Sequence, residues 1–259
     1  MTMRFTLLGT GTSTGVPTVS CHCATCQSSD WRDKRKRSSL LAQFGNTNLV
    51  IDTTPDFRLQ MIDSRVDHLD AVLYTHSHFD HIGGFDDIRP YNFFQKKPLP
   101  IYLNQRTLKD LKRTFIYAFE RPEQIGGGVP EADVRLIDNE SFEIEGENIT
   151  PIPLMHGNID ILGYRIGNFA YCTDASHIPD ESIDLLRGVE VLVLNALRYS
   201  VHPTHFNIEQ ALGIVETIDP KKTYFTHISH EIKHEECEKK LPENVFLGYD
   251  GLIIDMAHI

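Results

Sequence analysis

The sequence is short of positive charge, of cysteine and of long apolar runs, and each shortage excludes something. Only 25 Lys and Arg stand against 36 Asp and Glu among 259 residues, for a formal net charge of −11. A protein that grips long nucleic acid by neutralising its phosphates needs the opposite balance. No run approaches the ~20 apolar residues that span a bilayer. The first apolar run, Phe5-Thr6-Leu7-Leu8, stops at Gly9, too early for the apolar stretch of a secretory signal. Cysteines number five, an odd count, and Cys21, Cys23 and Cys26 crowd together. That is not a disulfide framework, and in a reducing compartment the cluster reads as metal binding. A cytoplasmic protein is expected, with no membrane and no long nucleic acid as partner. A chain of this length buries roughly three quarters of its unfolded surface and needs no cross-links to build a core. One domain over 1–259 is expected.

What the sequence has in excess is histidine, 13 residues. Their placement follows the strands. Arg4–Leu8 reads as a first strand, running into the glycine turn Gly9–Gly15. Asn48–Asp52 and Asp70–Thr75 are buried strands ending on polar residues, and the second runs directly into His76. Residues 91–147 read as a less regular insert, with one helix over Gln105–Phe119 and a Gly126-Gly127-Gly128 loop. Strands resume at Ile149–Leu154, Ala170–Cys172, Val191–Leu194 and Thr223–Thr226, and Val245–Asp255 reads as a closing strand or hairpin. Asn207 followed by Gln210 spells a capping box for a helix over Ile208–Ile218. Mixed strands and helices give an α/β class.

The hexapeptide His76-Ser77-His78-Phe79-Asp80-His81 packs four potential metal ligands behind an apolar strand. His76 and His78, two apart in extended backbone, project to the same side. Asp80 and His81 fall in the turn that follows and can face a different point, so one loop can serve two ions. Gly83 and Gly84 let the backbone turn away. Two ions need more donors, and later strand ends offer them: His156 after Leu154-Met155, Asp174 after Cys172-Thr173, His227 after Phe225-Thr226.

This pattern resembles the metallo-β-lactamase superfamily over nearly the whole chain. The resemblance implies a four-layer αββα sandwich of two mixed sheets with outer helices. It implies His76, His78 and His156 on one ion, Asp80, His81 and His227 on the second, and Asp174 bridging both. Asp52 would orient a ligand histidine. Imidazole and carboxylate donors suit Zn, Mn or Fe.

Cys21, Cys23 and Cys26 offer three thiolates where a structural zinc wants four ligands. His22, Cys172, Cys237 or a distant histidine can complete the set. The Gly15-Val16-Pro17 turn, the cysteine triplet, Thr226-His227-Ile228-Ser229-His230 and Tyr249-Asp250-Gly251 together are similar to the phosphoribosyl cyclic phosphate phosphodiesterase branch. That resemblance implies His230 as the fourth zinc ligand. It also implies His205 as the acid that protonates the leaving oxygen, with Asp80 and Asp174 beside it among the catalytic residues.

The expected activity is a dinuclear metal-dependent phosphodiesterase acting on a small, cyclic phosphodiester such as phosphoribosyl 1,2-cyclic phosphate, through a hydroxide shared by the ions. A homodimer is compatible with it. A tRNA 3′-processing endonuclease and a thioester, lactone or β-lactam hydrolase are the alternatives on the same fold. The run Arg32–Arg37 is expected to be a solvated face, with Arg37 its most interesting member. His202 is expected in an exposed turn. His22, His68, His177, His234 and His258 receive no role.

Overall fold

The computed structural model describes residues 2–120 and 128–257. Gly126 and Gly127 of the expected glycine loop, and His258, lie outside the described residues. The apolar runs become the strands of two mixed seven-stranded sheets. The chain forms two compact units, residues 1–8, 39–138 and 253–258 in one and 9–38 with 139–252 in the other.

The first sheet holds β1 (Thr2–Gly9), β2 (Ser39–Phe44), β3 (Thr47–Ile51), β4 (Ala71–Leu73), β5 (Leu99–Leu103), β6 (Ala132–Leu136) and β14 (Leu252–Ala257), in the order β14-β1-β2-β3-β4-β5-β6. β2 and β3 form an antiparallel hairpin, and β3, β4, β5 and β6 run parallel. Every residue of β3 and β4 is buried, the mark of parallel strands covered on both faces. Helices α1 (Phe57–Asp63), α2 (Phe79–Ile82), α3 (Arg89–Gln95), α4 (Gln105–Thr114) and α5 (Ile116–Phe119) belong to this unit. Val50, Val72, Phe57, Phe85 and Leu111 share its core.

The second sheet holds β7 (Phe142–Ile144), β8 (Glu147–His156), β9 (Ile159–Ile166), β10 (Phe169–Cys172), β11 (Val191–Asn195), β12 (Lys222–Thr226) and β13 (Val245–Leu247), in the order β13-β12-β11-β10-β9-β8-β7. β8 pairs antiparallel with β9 and β9 with β10, while β10, β11, β12 and β13 are parallel. Two reversals cancel, so β8 points the same way as β10, β11 and β12. Their C-terminal ends share one edge. α6 (Asp180–Leu186), α7 (Ile208–Ile218) and α8 (His234–Glu238) complete the unit, and Leu154, Cys172, Leu194, Phe225 and Val215 lie in its core.

Several expectations need correction. The helix over Gln105–Phe119 breaks at Phe115, where φ −113° and ψ 47° leave the helical region. The Phe115 ring is buried 5.1 Å from that of Phe85, so core packing overrides local propensity. Val245–Asp255 is no hairpin, because its two strands join different sheets. Residues 91–147 are more regular than expected, carrying β5, α4, α5, β6 and β7. The expected turn at Gly83 and Gly84 is present, and Gly84 also allows close approach: a Cβ there would lie 2.1 Å from the Thr54 carbonyl oxygen. Among the described residues no helix is long and apolar enough to cross a membrane.

The capping box at α7 is present as read. The Asn207 side chain accepts from Gln210 N–H at 2.8 Å, and Gln210 accepts from Asn207 N–H at 3.1 Å. Asn207→Ala should cost about 1 kcal/mol of stability in denaturant titration, with the zinc content of the protein unchanged.

Candidate metal centre

In the first unit, parallel strands β3 and β4 deliver Asp52 and then Thr75-His76 just past their C-terminal ends. Asp52 is fully buried in a left-handed conformation, φ 68°. Its carboxylate accepts three hydrogen bonds: from Thr75 N–H at 2.8 Å, from Thr75 Oγ1 at 2.8 Å and from His81 Nδ1 at 2.7 Å. Burial pushes the Asp52 carboxyl up, and His81 and Thr75 pull it back. Since the Thr75 hydroxyl donates to Asp52, it accepts from His76 Nδ1 at 2.9 Å. Both rings are thereby fixed as Nδ1–H tautomers with the Nε2 lone pair available as a ligand.

The His76 ring centroid lies 4.6 Å from that of His78 and 4.2 Å from that of His81. His78 is extended and precedes α2, which carries Asp80 and His81 as expected. Asp80 Oδ2 sits 3.3 Å from His81 Nε2. Ser77, the residue between the first two histidines, donates to Asp110 Oδ2 of α4 at 2.7 Å and pins the loop.

In the second unit, β8 ends on His156, and Asp174 and His227 follow β10 and β12 at the shared edge. His156 Nδ1 lies 2.7 Å from both the Asp174 and the Thr204 carbonyl oxygens. Carbonyls only accept, so this nitrogen carries the proton and Nε2 the lone pair. His227 Nε2 lies 3.2 Å from Asp174 Oδ2. His205 stands between them, its ring 4.6 Å from His156 and stacked 4.7 Å from His227, with Nδ1 4.0 Å from Asp174 Oδ2. Burial first, then the neighbouring His227, holds the His205 imidazole down to about 3.

Asp174 and His227 both adopt left-handed backbone, φ 62° and 55°, a conformation that costs on the order of 1–3 kcal/mol and persists where surroundings enforce it. Asn195 is one enforcer: its side chain accepts from Ala175 N–H at 2.7 Å and donates to Ala175 O at 2.9 Å. In each unit imidazoles and carboxylates are gathered in a way that suits divalent cations, with Nδ1 of His76, His81 and His156 tied to an oxygen.

The cysteine cluster closes in the same unit. Cys21 Sγ and Cys23 Sγ lie 3.3 and 3.4 Å from His230 Nδ1. The three sulfurs and His230 fall within 4.8 Å of one another, compatible with the edges of a zinc tetrahedron, roughly 3.8 Å between sulfurs. The Cys26 N–H and His230 lower the Cys23 thiol to about 6, whereas burial pushes Cys26 up to about 11. Cys172 and Cys237 are core residues, and the donor group includes neither them nor His22.

The basic run differs from expectation. Arg35 is buried, donating to Thr10 Oγ1 at 2.8 Å, to the Gly248 carbonyl at 2.6 Å and to His234 Nδ1 at 2.9 Å. Its guanidinium fastens the N-terminal loop to the end of the unit. Arg37 is half-buried and donates to the Ser13 carbonyl, and Lys34 is the exposed member of the run. His202 also departs from expectation: it is half-buried, its ring 5.1 Å from that of His205. Thr75, Ser77, Asn195 and Thr204 were not legible as site residues. Their only signal is a polar residue at or beside a strand end or a ligand.

Cys23→Ser should remove one zinc per chain by elemental analysis, whereas Cys172→Ala should leave the zinc count unchanged.

A family model, the beta-lactamase superfamily domain, matches residues 47–228. The structure superposes on a crystal structure described as a new diphosphatase from the PhnP family, with TM-score 0.93 and 42% identity over 99% of this chain and 98% of that one. It is 40% identical over 258 residues, 98% of its length, to an octanoyltransferase of Porphyromonas gingivalis, but spans only 52% of that protein. Zinc-bound PqqB from Methylobacterium extorquens shares the fold at TM-score 0.78 and 18% identity, over 98% of this chain and 100% of that one. The fold implies divalent metal ions, and the donors of both units fit them. The chain therefore belongs to the beta-lactamase superfamily, as a metallo-β-lactamase-fold hydrolase of the PhnP family.

Proposed function

We propose that residues 1–259 act as one catalytic domain in which the donors of the two units hold two divalent ions. His76, His78 and His156 take one ion, Asp80, His81 and His227 the other, and Asp174 bridges. The proposed reaction is hydrolysis of a small anionic phosphodiester, cyclic in the favoured case, such as phosphoribosyl 1,2-cyclic phosphate. The ions, when bound, supply Lewis acidity and lower the pKa of a water near phosphorus.

The observation that carries this reading is His205. It is an imidazole stacked among His156 and His227 whose buried Nδ1 has no hydrogen-bond partner among the described residues. A purely structural histidine in that place would have its nitrogens satisfied. An alkoxide leaving group needs a proton, and a histidine at the ligands' edge is placed to give one. In the free protein burial holds that imidazole neutral. An anionic phosphoryl group beside it favours the charged form, so the substrate itself would load the acid. A thioester, whose thiolate leaves without a proton, gives this residue no such task.

A second reading follows from the PhnP-family diphosphatase at 42% identity: cleavage of a phosphoanhydride, whose departing phosphate needs less protonation. The name octanoyltransferase belongs to a protein about twice as long as this chain and carries less weight. The deficit of positive charge disfavours the tRNA-processing alternative.

A turnover panel on metal-loaded protein separates these: a ribose 1,2-cyclic phosphate, 2′,3′-cyclic nucleotides, an aryl phosphodiester, a diphosphate ester, an octanoyl thioester and a β-lactam. Turnover confined to the last two would overturn the phosphoryl-transfer reading. His205→Ala should slow alkoxide-leaving substrates by ~10²–10⁴-fold with metal content intact, and the aryl and diphosphate esters far less. Asp174→Ala should lose bound metal as well as turnover.

A further inference from the structure

The segment Val201–His205 places a second histidine at the edge of the proposed active site. His202 Nδ1 lies 3.3 Å from Thr204 N–H and 3.2 Å from Thr204 Oγ1. A backbone N–H can only donate, so Nδ1 is the lone-pair nitrogen and the proton resides on Nε2. This is the opposite tautomer from His76, His81 and His156, whose Nδ1 carries the proton. Nε2–H of His202 has no partner among the described residues, and the ring rests 5.1 Å from that of His205. The side chain is half-buried, with an intermediate solvent exposure.

Thr204 is the hub of this arrangement. Its carbonyl accepts from His156 Nδ1 at 2.7 Å, while its N–H and hydroxyl face His202. Its methyl packs on Gly157, where φ is 59° and an added Cβ would lie 2.9 Å away. One residue thus fixes the tautomers of His156 and of the neighbouring His202, in opposite senses.

We propose that His202 is a substrate-binding residue: a neutral imidazole whose Nε2–H donates to a non-bridging phosphoryl oxygen beside the group that His205 protonates, with Thr204 as its positioning residue. The proposal rests on the phosphoryl-transfer reading above. A neutral donor is suited to this task because it recognises the anionic phosphoryl group without adding a cation beside the imidazolium of His205. Burial, then Arg198, lower the His202 pKa and keep it neutral.

The test uses the zinc-loaded protein of residues 1–259 with His202→Ala, Thr204→Val and Thr204→Ser. A hydrogen bond to a charged group predicts that His202→Ala raises KM for the cyclic phosphodiester about 10–100-fold, with kcat within about threefold, because a contact kept in ground and transition state acts on KM alone. The inhibition constant of inorganic phosphate should rise in parallel. Thr204→Val should produce several-fold of the same effect, and Thr204→Ser should restore it. Histidine ¹⁵N NMR should assign an Nε2–H tautomer to the signal that His202→Ala removes.

Unchanged KM and phosphate inhibition in His202→Ala, a loss confined to kcat, or an Nδ1–H tautomer would each overturn the proposal. If the wild type turns over no phosphoryl substrate, the proposed function fails instead. Direct phosphate binding and the tautomer then still decide the role of His202.

Discussion

The carboxylate of Asp52 is the constraint on which the first unit's donors depend. It is buried at the end of β3 and accepts from Thr75 after β4 and from His81 of α2. Three elements are therefore held at one point by one side chain. Removing one partner of a buried, hydrogen-bonded pair costs about 3–5 kcal/mol, because the other is left without compensation. Here the cost would also be geometric. His81 would lose its tautomer, and Thr75 the acceptor that makes its hydroxyl receive the His76 proton. The left-handed φ of Asp52 follows from the same demand: the chain must turn at once so that the carboxylate faces back across β4.

The second unit solves the same problem with carbonyls instead of a carboxylate. His156 is oriented by the carbonyls of Asp174 and Thr204, so the backbone that carries the Asp174 carboxylate also fixes the His156 imidazole. In both units the donors stand at or just past strand ends, and β3, β4 and β10 are buried throughout whereas β8 and β12 are only partly covered. β10 and β11 are apolar and covered throughout, with Asn195 at the end of β11 as the exception. Apolar burial supplies the rigidity, and the strained residues Asp174 and His227 draw on it. Asn195 shows how: a buried amide at a strand end exchanges two hydrogen bonds with Ala175 and holds the turn that Asp174 needs.

Much of this was legible in the sequence where a residue's chemistry and its local pattern coincide. His76-x-His78-x-Asp80-His81 behind an apolar run has few readings besides a metal loop, and Asn207 with Gln210 specified where its helix starts. The cysteine triplet with His230 was legible through resemblance, since spacing left several fourth ligands open. Residues whose role depends on a partner far along the chain stayed hidden. Arg35 sits in a run of charges that reads as a solvated face, yet its partners are Thr10, Gly248 and His234. His202 precedes a proline and reads as exposed, but Thr204 turns the segment back beside His205. Tertiary contacts of this kind leave no periodicity in a single sequence, and the break at Phe115 is the same effect seen in a helix.

The cysteine loop belongs to the same mechanical system as His227. His230 lies three residues beyond it, and Ile228 between them donates to the Thr10 carbonyl at 2.9 Å while its own carbonyl accepts from Thr12 N–H at 3.1 Å. The glycine turn is thus stitched to the strand end that presents His227. Gly11 lets the same turn lie close against the basic run, since a Cβ there would lie 2.9 Å from Arg35. Asp250 adds a second stitch, accepting from Thr10 N–H at 3.0 Å and from Lys36 N–H at 2.7 Å. The three cysteines near His230 therefore sit on a loop whose position sets where His227 stands. The burial of Arg35 has the same origin. A cation at the root of that loop needs acceptors from the far end of the unit, and in supplying them the chain fixes the loop in place.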